Sequence, residues 1–366
     1  MTEEQKYYLL ALSDVEKVGS VISKTLISYC GGPKEVFETP KKKLLQIPGI
    51  GEATIENIKA YDDWKKIEKE LIFTQKNEID ILDYSDQDFP KRLKYFDSCP
   101  LMIFKKGEIE LNPLRTVGIV GTRNATEYGK MQCEKIVEGL QSFGVTTISG
   151  LAYGIDTICH RKSVELGIPT IGILGHGLDR IYPHSNKDLA RKMQQNGAII
   201  TTFFTNTLPN RENFPARNKV VAGYCDVVVV VESGSKGGSI ITANFANDYN
   251  KDVFAVPGRL GDELSEGCNN LIKQHKAHLI QSAEDIAYIM RWEEQKEDKS
   301  IQTSLFVELS DEELSIIDTI RNIENIEIDE LLFHSKMPSS QLATILLQLE
   351  FKGIVKSLPG KKYVLY

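Results

Sequence analysis

Residues 209–219 read Pro-Asn-Arg-Glu-Asn-Phe-Pro-Ala-Arg-Asn-Lys, which sets Arg211, Arg217 and Lys219 around the ring of Phe214 and the amide of Asn218, in a segment too polar to be core. Guanidinium groups pair with phosphate oxygens and an exposed ring gives a base a surface to stack on, so this mixture suits single-stranded nucleic acid. The competing possibility is that Phe214 plugs a core while the cations are solvated. Four glycine-rich segments bear on that choice: 118–124 with Gly121, Thr122 and Arg123; 149–156 with Gly150; 175–179 with Gly175 and Gly177; and 232–239 with Lys236, Gly237, Gly238 and Ser239. Glycine lets backbone approach a ligand, and successive N–H groups at a helix start form a concavity for phosphate. One such segment reads equally well as a tight turn. Four, each following an apolar run, point together to a phosphate-bearing ligand.

Several nucleotide and catalytic chemistries are excluded. Gly121 is followed by Thr122, Arg123 and Asn124 instead of completing G-x-G-x-x-G, and Gly175-His176-Gly177 has Arg180 at the third glycine position. Lys236 precedes its glycines, so no Walker-type loop forms. His160, His176 and His184 lack tight ligand spacing and no two cysteines form C-x-x-C, so neither a metal nor a cofactor is expected. No serine sits in G-x-S-x-G. Asp156 opens a helical stretch, where capping backbone N–H groups is expected in preference to general-base work. These residues predict a binding protein, not an enzyme.

Aliphatic runs at 116–120, 146–149, 170–174, 198–204, 227–231 and 253–256 alternate with longer amphipathic stretches. Runs apolar at consecutive positions fit strands covered on both faces. The predicted fold class is α/β: a Rossmann-like, doubly wound, mostly parallel sheet over residues 81–290. Ligands in such sheets bind beyond the carboxyl ends of the strands, where the four glycine segments fall. Residues 1–80 read as a small helical domain broken at Gly31-Gly32-Pro33. Within it, Ile47-Pro48-Gly49-Ile50-Gly51 resembles a helix-hairpin-helix turn, which either offers N–H groups to a phosphate or only joins two packed helices. Residues 291–309 are polar and read as a linker. From 310 to 366, three helical patterns precede a hairpin around Pro359-Gly360, a winged-helix-like order. Its third helix offers only Ser339, Ser340 and Gln341 near its start, so protein contact is expected there in preference to major-groove reading.

The chain carries 44 basic and 51 acidic side chains, and a net charge of -7 advertises no polyanionic partner. The excess is not uniform: residues 1–111 carry -3, residues 112–290 carry +1 and residues 291–366 carry -5. The middle segment is therefore where a polyanion would bind. The run 227–231 is far short of a membrane span, the first residues lack a basic cleavable leader, and the cysteine pattern fits a reducing compartment. A cytoplasmic protein without membrane attachment is expected.

With these residues in view, the chain resembles the DNA-processing protein A family (DprA, also called Smf). The resemblance rests on Asp88-Phe89-Pro90, Val120-Gly121-Thr122-Arg123 with Tyr128-Gly129, Ser149-Gly150-Leu151-Ala152, and Gly154-Ile155-Asp156 with His160. It continues through Gly177-Leu178-Asp179 with Tyr182-Pro183, Phe214-Pro215-Ala216-Arg217-Asn218, Gly238-Ser239-Ile240-Ile241-Thr242-Ala243, and Val256-Pro257-Gly258 with Gly267-Cys268-Asn269. It is specific across the middle domain and architectural at the two ends. It implies a non-enzymatic core that binds and protects single-stranded DNA, forms a homodimer and loads the RecA recombinase onto incoming strands in natural transformation. The DNA contacts it implies are Gly121, Arg123, Gly150, Arg211, Phe214, Arg217, Asn218 and the loop of Lys236, Gly237, Gly238 and Ser239. Residue chemistry adds Thr122 and Lys219. Tyr153 stands where the family often has arginine, which removes one phosphate contact. Two alternatives stay open: a phosphoribohydrolase-like enzyme, for which no Pro-Gly-Gly-x-Gly-Thr loop is found, and a nucleotide-sensing module with Phe214 buried.

Overall fold

The computed structural model describes residues 2–293, 310–323, 326–335, 337–352, 354–358 and 362–365. It divides into two compact units, Met1–Gln295 and Lys296–Tyr366.

The first unit begins with six helices, α1 (Glu3–Asp14), α2 (Ser20–Cys30), α3 (Pro33–Glu38), α4 (Lys41–Leu44), α5 (Glu52–Lys59) and α6 (Trp64–Lys76). Gly31, at a φ of 95°, ends α2 by donating its N–H to the Ile27 carbonyl, and Pro33 opens α3 at a position where no N–H is needed. In the segment resembling a helix-hairpin-helix turn, α4 is a single turn and Gly49 has a φ of 78°. Ile47 and Ile50 drop into the core beside Leu26, Val36, Leu44 and Ile55.

Nine strands follow: β1 (Asp80–Asp83), β2 (Met102–Lys106), β3 (Thr116–Val120), β4 (Thr146–Ser149), β5 (Thr170–Leu174), β6 (Gly197–Thr201), β7 (Val227–Val230), β8 (Asp252–Ala255) and β9 (His278–Leu279). Their order is β1-β2-β6-β5-β4-β3-β7-β8-β9, with β3 to β9 all parallel and β1 and β2 antiparallel on one side. All six expected strands are present, and β1, β2 and β9 are additional. The fourth aliphatic run stops short at Thr201, whose hydroxyl turns back to the carbonyls of Leu174 (3.1 Å) and His176 (2.9 Å) and leaves 202–204 as loop.

The interleaved helices are α7 (Glu127–Leu140), α8 (Ile155–Leu166), α9 (Lys187–Met193), α10 (Asn213–Tyr224), α11 (Gly238–Asp248), α12 (Glu266–Lys273) and α13 (Ala283–Met290). Alternate residues of one strand face opposite layers. Val227 and Val229 pack with α7, α8 and α13 residues such as Ile136, Cys159 and Ile286, whereas Val228 and Val230 pack with Val221, Ala243 and Leu271 of α10, α11 and α12. Burial on both faces explains why these strands read as unbroken aliphatic runs. The change in composition near residue 80 marks a change of element type, not a gap in packing. Leu9, Leu10 and Ile67 share one apolar cluster with Met102 and Phe104 of β2, and the Lys24 ammonium donates to the Cys99 carbonyl (2.8 Å).

The second unit contains α14 (Asp311–Asn322), β10 (Ile326–Glu327), α15 (Ile328–Ser335), α16 (Ser339–Phe351), β11 (Val355–Leu358) and β12 (Lys362–Leu365), with sheet order β10-β12-β11. Ser310 and Glu313 form a reciprocal capping box that starts α14. This is the expected winged-helix order. Most of the expected linker, 294–309, and the Pro359-Gly360 turn lie outside the described residues. Among the described residues, no helix is long and apolar enough to cross a membrane.

Candidate nucleic-acid interface

Chain order reverses at the β3/β7 pair: β4, β5 and β6 extend to one side of β3, and β7, β8 and β9 to the other. Loops leaving the carboxyl ends of β3 and β7 diverge there, which opens a crevice in any doubly wound sheet. Here it is a cleft of about 550 Å³. Twelve of the thirteen predicted site residues line it: Gly121, Thr122, Arg123, Gly150, Arg211, Phe214, Arg217, Asn218, Lys236, Gly237, Gly238 and Ser239.

Lys219 is the exception: it is not among the residues that line the cleft. Its ammonium lies 5.3 Å from the Phe245 ring, and with Phe96 and Tyr249 it borders a different depression. The segment was expected to be an exposed polar stretch, but residues 213–224 are helical, and a helix turns about 100° per residue. Phe214, Arg217 and Asn218, at i, i+3 and i+4, therefore share one face, while Lys219 points away from Arg217. Pro215 is tolerated because it lies in the first turn.

The shared face is partly buried. Arg217 is 5% exposed, and its Nη1 donates to the Ile173 carbonyl (3.0 Å) while its Nε has no partner. Burial lowers the guanidinium's pKa and the Asp156 carboxylate opposes that shift. Gly150 is required beneath it, because a Cβ there would occupy the guanidinium's place. Asn218 Nδ2 donates to the Gly238 carbonyl (3.2 Å), fixing the loop after β7. Phe214 is half-buried against Gly175, so the third glycine segment backs the ring. The guanidinium carbons of Arg123 and Arg217 lie 4.9 and 5.7 Å from the ring centroid. Phe214 is thus a wall of the cleft, not a core plug.

The exposed cations Arg123, Arg211 and Lys236 also line the cleft. The Arg123 loop is held at both ends. Thr122 N–H donates to the Glu232 carbonyl (2.7 Å), and the buried Glu232 carboxylate accepts from Thr126 N–H (2.8 Å) and Thr126 Oγ (2.5 Å). Across from it, α11 starts at Gly238 with Gly237 as N-cap and no side-chain cap; Ile240 N–H turns back to the Gly237 carbonyl (3.1 Å), and among the described residues the Gly238 and Ser239 N–H groups have no backbone partner. The Ser239 and Ser233 hydroxyls pair at 2.7 Å. Backbone donors, a positive helix end and flanking cations are the chemistry that could hold a phosphodiester.

Asp156 also lines the cleft, on no signal beyond its place after Gly154-Ile155. Its Oδ2 accepts from Ala152 N–H (3.2 Å), so the expected capping is of the preceding loop, while Gly154 is the N-cap of α8. Burial raises its pKa, chiefly against the attraction of Arg217. Below, His160 is fully buried with Nδ1 2.7 Å from Thr170 Oγ, and burial pushes it down to about 3, with Arg217 adding to the shift. The unfolded chain then takes up a proton near pH 6.5 that the folded chain refuses until about pH 3. Stability from this group is full above pH 6.5 and is lost as the pH falls. Urea unfolding at pH 7 and pH 5 should show His160 contributing a loss of about 2 kcal/mol on acidification, and His160→Gln should flatten that limb.

Among the described residues, no three His, Cys, Asp or Glu side chains gather as metal ligands.

Comparison with known proteins matches the sequence and the fold. The family model described as DNA recombination-mediator protein A matches residues 80–291, and the DprA winged helix domain matches 306–361. Protein Smf of a Synechocystis strain is 30% identical over 99% of both chains. DNA processing protein DprA of Streptococcus pneumoniae is 36% identical over 55% of this chain and 71% of its own. An X-ray structure of DNA processing protein A from S. pneumoniae aligns with a TM-score of 0.67 at 30% identity, covering 80% of this chain and 99% of that one. The DNA processing protein A of Helicobacter pylori, described for its single-stranded DNA binding mode, aligns with a TM-score of 0.54 at 27% identity, covering 59% of this chain and 98% of that one. Matched across the sheet that builds the cleft, and end to end by a full-length relative, this chain belongs to the DNA-processing protein A (DprA/Smf) family.

Proposed function

We propose that the chain binds single-stranded DNA in the β3/β7 cleft and acts in DNA processing during transformation and recombination, as a homodimer that passes the strand to the RecA recombinase. One observation carries the DNA-binding part: the cleft joins an aromatic ring, Phe214, to three exposed cations and the uncapped start of α11. A duplex hides its base faces, whereas a single strand can stack them on a ring and track its phosphates along cations. The recombinase and dimer parts rest on family membership.

A binding role is favoured over the enzymatic alternative because Asp156, which lines the cleft, and Glu232, buried behind the Arg123 loop, are already engaged. Glu232 holds Thr126, and Asp156 holds the Ala152 N–H. For the turn at Ile47–Gly51, the two buried isoleucines favour joining helices over holding phosphate. The acidic winged-helix unit is assigned to protein contact.

Labelled oligo-dT titrated against duplex and free nucleotides, with salt varied, tests this reading. The expected log–log salt slope is about -0.7 per phosphate neutralised. Phe214→Ala should weaken oligo-dT binding by about 1–3 kcal/mol. Duplex binding as tight as single-strand binding would overturn the proposal.

A further inference from the structure

A second crevice, of about 280 Å³, lies between the start of α2, β2 and the loop after β6, and nothing above assigns it a role. Its lining includes Gly19, Ser20 and Ser23 of α2, Met102 and Phe104 of β2, and Phe203 of the loop. Two independent features bear on what it could hold. The eleven-residue helix α2 follows its N-cap Gly19 with no side-chain cap, leaving its first-turn N–H groups unspent among the described residues. Ser23, one turn in and fully buried, has a hydroxyl with no hydrogen-bond partner among the described residues. A buried hydroxyl without a partner is costly unless something fills the space beside it. Met102, Phe104 and Phe203 give the lining an apolar, aromatic side, which suits a flat, weakly polar body attached to the anion.

The crevice is tied to the cleft through one loop. Thr202, Phe203, Phe204 and Thr207 line the crevice, and Pro209 and Arg211 line the cleft. Thr207 and Pro209 are two peptide steps apart, so their Cα atoms are within about 7.6 Å. The loop is fixed, not slack: the buried Glu70 carboxylate accepts from Thr205 N–H (3.1 Å) and Thr205 Oγ (2.5 Å), and Asp179 accepts from Asn206 N–H (3.0 Å). Both openings lie at the carboxyl side of the sheet, since the loop leaves the end of β6.

We propose that this crevice holds one further nucleotide unit of the strand bound in the cleft, its phosphate at the α2 N-terminus and Ser23 and its base against Phe203 and Met102. The inference rests on the reading of the cleft as a single-strand site, and its test separates the two. Ser20→Asp puts a carboxylate into the first turn of α2, which favours the helix and repels a phosphate. Oligo-dT of about 4 and about 12 nucleotides, a short and a long length within the usual range for single-strand grooves, would be titrated by fluorescence anisotropy into the full chain, wild type and Ser20→Asp. The longer oligonucleotide should bind the variant about tenfold more weakly, while the shorter one binds unchanged and thermal unfolding is not lowered. Phe203→Ala should reproduce the length-dependent loss.

Equal affinity of wild type and Ser20→Asp for the longer strand would overturn the crevice and leave the cleft standing. An equal loss for both lengths would also overturn it, because the effect would then act through the cleft. Failure of either protein to bind any oligo-dT would sink the cleft reading instead. Binding of free thymidine monophosphate as tight as that of the longer strand, and abolished by Ser20→Asp, would reassign the crevice to a free nucleotide.

Discussion

Replacing Arg123 and Lys236 together by alanine is expected to reduce oligo-dT affinity by roughly 100- to 1,000-fold while leaving the fold intact. Each side chain is exposed at the lip of the cleft, on opposite sides of the crevice opened at the β3/β7 pair. A charge-assisted hydrogen bond to phosphate contributes about 1.5–3 kcal/mol, and two lost near the lower end of that range, as suits exposed cations, cost about 3–4 kcal/mol, which gives the stated range. The loss should shrink with rising salt, since two fewer counterions are released on binding, and the log–log slope should fall in magnitude by about 1.4. Thermal unfolding should stay within about 0.5 kcal/mol of wild type, as is usual for exposed positions. Anisotropy titrations at two salt concentrations, with an unfolding curve for each protein, check both halves. A normal binding curve would remove both residues from the site.

Gly154→Ala should act in the opposite way, through the scaffold. Gly154 has a φ of 74° and a ψ of -129°, which a residue with a Cβ adopts only under strain. A Cβ there would also collide with the Thr122 carbonyl oxygen and lie 2.7 Å from the Arg123 backbone, forcing the Arg123 loop away from α8. The same carbonyl accepts the Ile155 N–H (3.2 Å), so the movement breaks a bond at the start of α8. Backbone strain and overpacking together should cost about 2–5 kcal/mol in chemical denaturation, with oligo-dT affinity falling in parallel. Gly238→Ala is the contrast. A Cβ on Gly238 meets nothing within 4 Å, so stability should be unaffected and any loss of binding would report crowding of the phosphate position.

The parallel sheet was legible because burial on both faces writes an aliphatic run into the chain, as at Val227–Val230. The strands that sequence reading missed lack that mark. β1 reads Asp-Ile-Leu-Asp, β2 ends in two lysines, and β9 is two exposed residues long, so each depends on its neighbour more than on its own pattern. In the cleft, glycines and cations were visible as residue types, but which of them converge is set by helical period and strand order. Arg217 and Lys219 look alike in sequence and differ by about 200° around α10. Asp156 is marked in sequence only by its place after Gly154-Ile155, and the orphaned Ser23 hydroxyl by nothing; only packing shows where they point.

Under the proposed function, the position of Arg123 over Phe214 makes strand capture an exchange. In the free protein the guanidinium covers the stacking surface, shielding an aromatic face that would otherwise sit bare in water. A base that takes this place releases the guanidinium, which is then free to meet the adjoining phosphate. Arrival of the strand and rearming of the cation are then one event. The same swap runs backwards when a strand leaves, so the ring is covered again as the base departs and the cleft returns to its resting state without exposing a sticky patch to other chains.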